Sequence, residues 1–197
     1  MVLDKYRKDV DSLITHVSRP FIFFRPNTLS WISFIFALIS SAFFYLGNYY
    51  LILASIFLII SAFFDAIDGK VARIRGLASK KGDFLDHLLD RYSDTVIIVG
   101  ISLSNYVHWY FALFALTGIF FTSYAGTQAQ AVVGKRDYGG ILGRADRLVI
   151  FIIMPLIQFF IRNTLLGFSF SDYVLIIIGF LGNITAIQRS IRAWRSL

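Results

Sequence analysis

The 197-residue chain contains no cysteine and no glutamate. The first absence excludes disulfides, zinc–thiolate centres and cysteine nucleophiles. The second leaves aspartate as the carrier of every side-chain carboxylate, on a short stem that suits metal coordination better than surface decoration. Charged residues are scarce at 16%, whereas hydrophobic residues reach 57% and mean hydropathy is +0.68. Soluble domains are about 45–50% apolar, so the excess must face something other than water. Internal repeats and low-complexity tracts are lacking. The N-terminus mixes Asp4, Lys5, Arg7, Lys8 and Asp9, a pattern that does not read as a cleavable signal peptide.

What is present is a series of long apolar runs, at about 28–46, 50–69, 85–104, 107–130, 146–163 and 172–190. Each comes close to the ~20 residues a helix needs to cross a bilayer. Gly47-Asn48 and Ser104-Asn105 mark turns between runs, Gly167 and Ser169 mark another, and Pro20 and Pro26 break the chain before the first. Ahead of that break, Leu3, Tyr6, Val10, Leu13, Ile14 and Val17 recur at helical spacing among charges. The expected fold is therefore an all-α integral membrane protein. An amphipathic interfacial helix over 2–17 precedes six transmembrane helices over about 28–190, in a single domain spanning 1–197. With six spans, every lysine and arginine except Arg162 falls on one side, which the positive-inside rule makes cytoplasmic, together with both termini. Tyr49, Tyr50, His108, Trp109 and Tyr110 suit the outer interface. The net charge of +7 then points to an anionic membrane face and phosphate ligands rather than nucleic acid. The expected location is the cell membrane, crossed several times.

Chemistry concentrates in residues 65–90, DAIDGKVARIRGLASKKGDFLDHLLD. Asp65 and Asp68 stand three apart at the end of the second run. Asp86 and Asp90 stand four apart at the start of the third. Each pair shares a helix face, and a short connection brings the two helices antiparallel, so that four carboxylates converge. Such a cluster is repulsive unless cations neutralise it, and all-oxygen ligands favour Mg²⁺, Mn²⁺ or Ca²⁺ over zinc. Gly69 and Gly82 flank the cluster and allow a ligand close to the backbone.

The spacing D-x2-D-G-x2-A-R-x8-G-x3-D-x3-D, filled by Asp65, Asp68, Gly69, Ala72, Arg73, Gly82, Asp86 and Asp90, resembles the motif of the CDP-alcohol phosphotransferases. Pro26, Asn27 and Ser30 resemble that family's element at the first span. The resemblance implies a homodimer with a polar cavity open to the cytoplasm, a CDP-lipid donor and a small alcohol acceptor. It implies two Mg²⁺ or Mn²⁺ ions held by Asp65, Asp68, Asp86 and Asp90, a CDP site of Asp68, Gly69, Ala72, Arg73 and Gly82, and Asp90 as the base that takes the acceptor hydroxyl proton. GDFLDHLLDRYSD is similar to archaeal members, which implies CDP-archaeol, with CDP-diacylglycerol the other donor.

For the acceptor, Arg144 and Arg147 enter the fifth span one turn apart, as similar arginines do in members using inositol phosphate or glycerol phosphate. Gly139, Gly140 and Gly143 would let the preceding loop approach a ligand. Inositol-phosphate members often read S-Y-x-K/R-A-R-A-E on the fourth span. This chain reads SYAGTQAQA, with Gly126, Gln128 and Gln130 at the charged positions. Lys135 and Arg136 are candidates to replace the missing cations, and Gln128 to hydrogen-bond a polyol. A polyol phosphate is the expected acceptor. An unphosphorylated alcohol or amino alcohol such as serine stays open, as does a divalent-cation transporter outside enzymes.

Overall fold

The computed structural model describes residues 14–197. Residues 14–18 are helical, and the rest of the interfacial helix expected over 2–17 lies outside the described residues. Six long helices follow: α1 (Pro26–Leu46), α2 (Leu51–Ile74), α3 (Lys80–Ser102), α4 (Trp109–Val133), α5 (Arg144–Phe160) and α6 (Phe170–Arg195). Among the described residues there is no strand; one isolated bridge pairs Leu165 with Phe168. Four segments are long and apolar enough to cross a membrane: Pro26–Leu46, Asn48–Ile74, Trp109–Val133 and Phe170–Arg195. α3 carries aspartates and basic residues through its first half, and α5 has 17 residues.

Helix ends follow local chemistry. Pro26 opens α1, where its missing N–H costs nothing. Gly47 and Asn48 take positive φ (62° and 48°), turning the chain into α2 where the sequence marks a turn. The Ser79 hydroxyl caps α3 by accepting from the Gly82 N–H at 3.2 Å, and Ser169 with Asp172 forms a capping box on α6. Several helices overrun their apolar runs. α2 continues to Ile74, α3 starts at Lys80 and α6 reaches Arg195. Hydropathy marks the greasy part of a helix, whereas the backbone ladder continues through polar residues.

The helices close into a ring in the order α1, α2, α5, α6, α4, α3. In lipid, helix association rests on close packing and polar contacts, and the ring uses both. Ser33 and Ser61 donate to each other's carbonyls at 2.8 and 2.9 Å, and Ser40 donates to the Ala54 carbonyl at 2.8 Å, joining α1 to α2. Ser41 reaches Val96 O on α3, and Ser55 reaches Ile152 O on α5. α4 and α6 meet through glycine: a Cβ added at Gly182 would lie 2.8 Å from Gly118 Cα. Thr122 donates to the Gly182 carbonyl beside that contact at 2.8 Å. At the end of the bundle where α4 and α6 begin, fully buried Asp172 accepts from the His108 backbone N–H (2.8 Å) and pairs with its ring Nδ1 (2.9 Å). Arg162 lies 4.9 Å above the Tyr49 ring there.

Candidate active site

The two helices that carry the aspartates do not pack on each other. α2 and α3 both lean on α1 and scarcely touch. The separation has a structural result: a cleft stays open between them at the end where α2 finishes and α3 begins. All four carboxylates belong to this cleft. The Ser30 hydroxyl on α1 donates to buried Asp68 Oδ2. Arg144, at the first position of α5, reaches across the cleft. Its Nη1 donates to Asp65 Oδ2 at 2.9 Å, and its Nη2 lies 3.2 Å from Asp65 Oδ1 and 2.5 Å from Asp90 Oδ1.

Two recesses open from the cleft, and Asp86 borders both. The first, of about 190 Å³, contains every residue expected at a CDP site: Asp68, Gly69, Ala72, Arg73 and Gly82. Pro26, Asn27 and Ser30 of α1 supply another wall. A Cβ added at Gly69 would meet only the Arg73 guanidinium, at 4.0 Å. Bare backbone is thus offered to a ligand.

The second recess, of about 170 Å³, contains Asp90 and five arginines: Arg91, Arg136, Arg144, Arg147 and Arg189. Arg144, Arg147 and Arg136 were expected at an acceptor site. Lys135 and Gln128 were too, but both are exposed and neither lines this recess; Lys135 faces a separate groove beside Arg192. Two of the loop glycines meet α6. Gly140 (φ 131°) packs against Thr185, and the Gly139 carbonyl accepts from Arg189 Nε at 2.8 Å. They let the loop lie on α6. Arg91 and Arg189 read in the sequence as topological charges. One signal was available: Thr185, Arg189 and Arg192 recur at helical spacing on α6 and all meet the 137–142 loop.

Arg147 is buried, with Nη2 3.3 Å from Asp94 Oδ2, and Arg91 Nη2 is 3.4 Å from the same oxygen. Arg147 Nε and Nη1, Arg91 Nε and Arg136 Nη1 are buried without hydrogen-bond partners. Unpaired buried donors are costly, and here they cluster at one recess, where an anion's oxygens would satisfy them. Outside the helices, Asp137 accepts from Arg192 Nε and the Gly139 N–H, each at 2.8 Å. Slight burial pushes its carboxyl up, but these donors and the charges of Arg192 and Arg189 outweigh that and hold it below the usual carboxylate range.

The donor set fits a hard divalent cation. Asp86, His87 and Asp90 each offer a ligand atom, all within 4.8 Å of one another, and Asp68 borders the same cleft. Asp65 and Asp90 share Arg144 as a counter-charge.

Fold and cleft together are those of a membrane-embedded protein whose carboxylates and arginines face one cleft. The chain belongs to the CDP-alcohol phosphatidyltransferase family, whose model matches residues 23–185; it is a CDP-alcohol phosphotransferase. It is 36% identical over 131 residues to the archaetidylinositol phosphate synthase of Pyrococcus horikoshii, covering 66% of this chain and 69% of that one. It is also 36% identical over 135 residues to the archaetidylinositol phosphate synthase of Methanothermobacter thermautotrophicus, covering 68% and 66%. The matches thus span about two thirds of these relatives. The fold resembles that of Mycobacterium tuberculosis phosphatidylinositol phosphate synthase with CDP-DAG bound, at TM-score 0.78 and 22% identity over 93% of this chain and 94% of that one.

Proposed function

We propose that the protein transfers a phosphatidyl-type group from a CDP-linked lipid, CDP-archaeol or CDP-diacylglycerol, to a hydroxyl of a polyol phosphate, with release of CMP. Inositol phosphate is the favoured acceptor. One observation carries this reading: a glycine-floored recess and an arginine-lined recess meet at Asp86. A nucleotide diphosphate in the first and a phosphorylated alcohol in the second would place their reacting atoms at the carboxylate cluster between. The names of the archaeal relatives, archaetidylinositol phosphate synthases, support the acceptor. So do the unpaired donors of Arg147, Arg91 and Arg136, whose number and charge match a phosphate's three oxygens better than a neutral or zwitterionic alcohol.

In this reading Gly69, Ala72 and Gly82 let the nucleotide approach the backbone, and Arg73 pairs with phosphate oxygens. Asp65, Asp68, Asp86 and Asp90 hold two divalent cations, Mg²⁺ or Mn²⁺, which when bound neutralise the charge of the donor pyrophosphate. Arg147, Arg136 and Arg144 grip the acceptor phosphate and aim its hydroxyl. That oxygen bonds to the phosphorus distal to cytidine, the bond from this phosphorus to the CMP oxygen breaks, and Asp90 takes the hydroxyl proton. The whole chain acts as one six-span domain and as a homodimer, with cleft and termini on the cytoplasmic side of the cell membrane.

A donor-by-acceptor screen tests the proposal. Purified protein receives CDP-archaeol or CDP-diacylglycerol with inositol phosphate, glycerol phosphate, serine or glycerol, and CMP release is measured. Faster release with serine or glycerol than with either phosphorylated polyol would overturn the acceptor assignment.

A further inference from the structure

The residue that follows the third aspartate of the motif is His87, and its surroundings are those of a metal ligand. It stands on α3 between Asp86 and Asp90, its side chain about one third exposed. Nδ1 faces inward, 4.0 Å from Asp86 Oδ2 and 3.8 Å from Asp90 Oδ2. That atom is buried and has no hydrogen-bond partner. The other ring nitrogen, Nε2, points to Asp83 Oδ1, 3.4 Å away and one helical turn back.

Asp83 lies behind Nε2, while Nδ1 faces the carboxylate oxygens of Asp86 and Asp90. A carboxylate behind one ring nitrogen, with the other turned toward further anionic ligands, is the arrangement in which a histidine binds a metal. The three residues Asp86, His87 and Asp90 offer ligand atoms within 4.8 Å of one another. Arg144 is engaged with Asp65 and the other oxygen of Asp90, and Arg91 Nη2 lies 3.8 Å from Asp90 Oδ2.

We propose that His87 is a nitrogen ligand of the divalent cation held by Asp86 and Asp90, oriented by Asp83, and that it biases the site toward Mn²⁺ over Mg²⁺. This rests on the transferase reading above and refines its metal site. Mg²⁺ keeps oxygen ligands and water, whereas imidazole suits transition-metal ions. Asp83 is here a positioning residue, acting through His87.

The test loads untagged full-length protein with Mn²⁺ and reads nitrogen coupling by pulsed EPR, with Mn²⁺ and Mg²⁺ affinities measured by titration. The wild type should show imidazole-nitrogen modulation, lost in His87→Ala and His87→Gln. Mn²⁺ affinity should fall by about tenfold or more in both variants, with Mg²⁺ affinity nearly unchanged. Asp83→Asn should keep the nitrogen coupling but weaken Mn²⁺ binding. The wild-type spectrum decides even if the variants fail to fold. An oxygen-only spectrum of bound Mn²⁺, or nitrogen coupling that persists without His87, overturns the proposal and leaves the transferase reading intact. Absence of CMP release under every donor and metal condition would instead defeat the transferase reading.

Discussion

Arg144 and Asp65 are 79 positions apart, yet the guanidinium grips the carboxylate with both terminal nitrogens, at 2.9 and 3.2 Å. The arginine that would greet the acceptor phosphate thus also occupies oxygens that a cation would use. Arg144→Ala should therefore act in two directions. Acceptor KM should rise about tenfold or more, the worth of a charge-assisted hydrogen bond. Mn²⁺ binding, read by titration without substrates, should tighten. Unchanged values for both would reduce Arg144 to a topological charge.

Asp68 and Asp90 should separate by recess. Asp68 lines the glycine-floored recess and Asp90 the arginine-lined one. Asp68→Asn is expected to weaken cytidine nucleotide binding. Asp90→Asn should largely spare that binding and cut turnover by about 10²–10⁴-fold, the usual contribution of a general base. Equilibrium nucleotide binding and single-turnover kinetics read the two effects; near wild-type turnover in Asp90→Asn would remove its assignment as base.

Metal removal should abolish activity. Chelation with EDTA is expected to stop CMP release, and added Mg²⁺ or Mn²⁺ to restore it. Full activity in metal-free protein is the contrary result.

The Arg147–Asp94 pair is buried, so breaking it should cost stability. Arg147→Met leaves Asp94 with Arg91 alone. The expected loss is up to about 3 kcal/mol, read as a lower Tm in detergent. Adding Asp94→Asn should recover Tm without recovering activity, because the recess stays short of a cation. A double variant as unstable as the single one would show that the pair is not the source.

The Asp137–Arg192 contact has a defined pH dependence. The Asp137 pKa is depressed in the folded protein, so its contribution is complete above the unfolded carboxylate value of about 3.9. It is lost as pH falls through the lower folded value. Amide exchange at Gly139, whose N–H bonds the same carboxylate, should stay slow to about pH 4 and quicken below, after correction for intrinsic rates. An equal slowing in Asp137→Asn across that range would dissociate the two.

The sequence carried the helices and the motif because both are local. Apolar runs announce segments such as α1 and α4, and the spacing from Asp65 to Asp90 survives as a pattern along the chain. What it did not carry depends on how helices turn toward one another. Lys135 and Arg136 are neighbours in sequence, yet Arg136 lines the recess and Lys135 does not. Arg189 looks like any tail cation until α6 packs on α4 and buries it against the Thr122, Tyr138 and Gly139 carbonyls. The open cleft was equally hidden. A short linker does not say whether α2 and α3 touch, and it is their packing on α1, α5 and α4 that leaves the cleft between them.

The glycine contact between α4 and α6 sets an order on assembly. α1 and α2 are consecutive, so their serine bonds can form as soon as both have entered the bilayer. α4 can meet α3 just before it, but its glycine face has no such early partner: Gly118 waits for Gly179 and Gly182, which follow only after α5. Until the last helix arrives, α4 stands in lipid with its narrowest face uncovered and the arginine recess lacks Arg189. Arginine recess and ring closure are therefore completed by the same late event, and a chain halted before α6 would carry the motif without its enclosure.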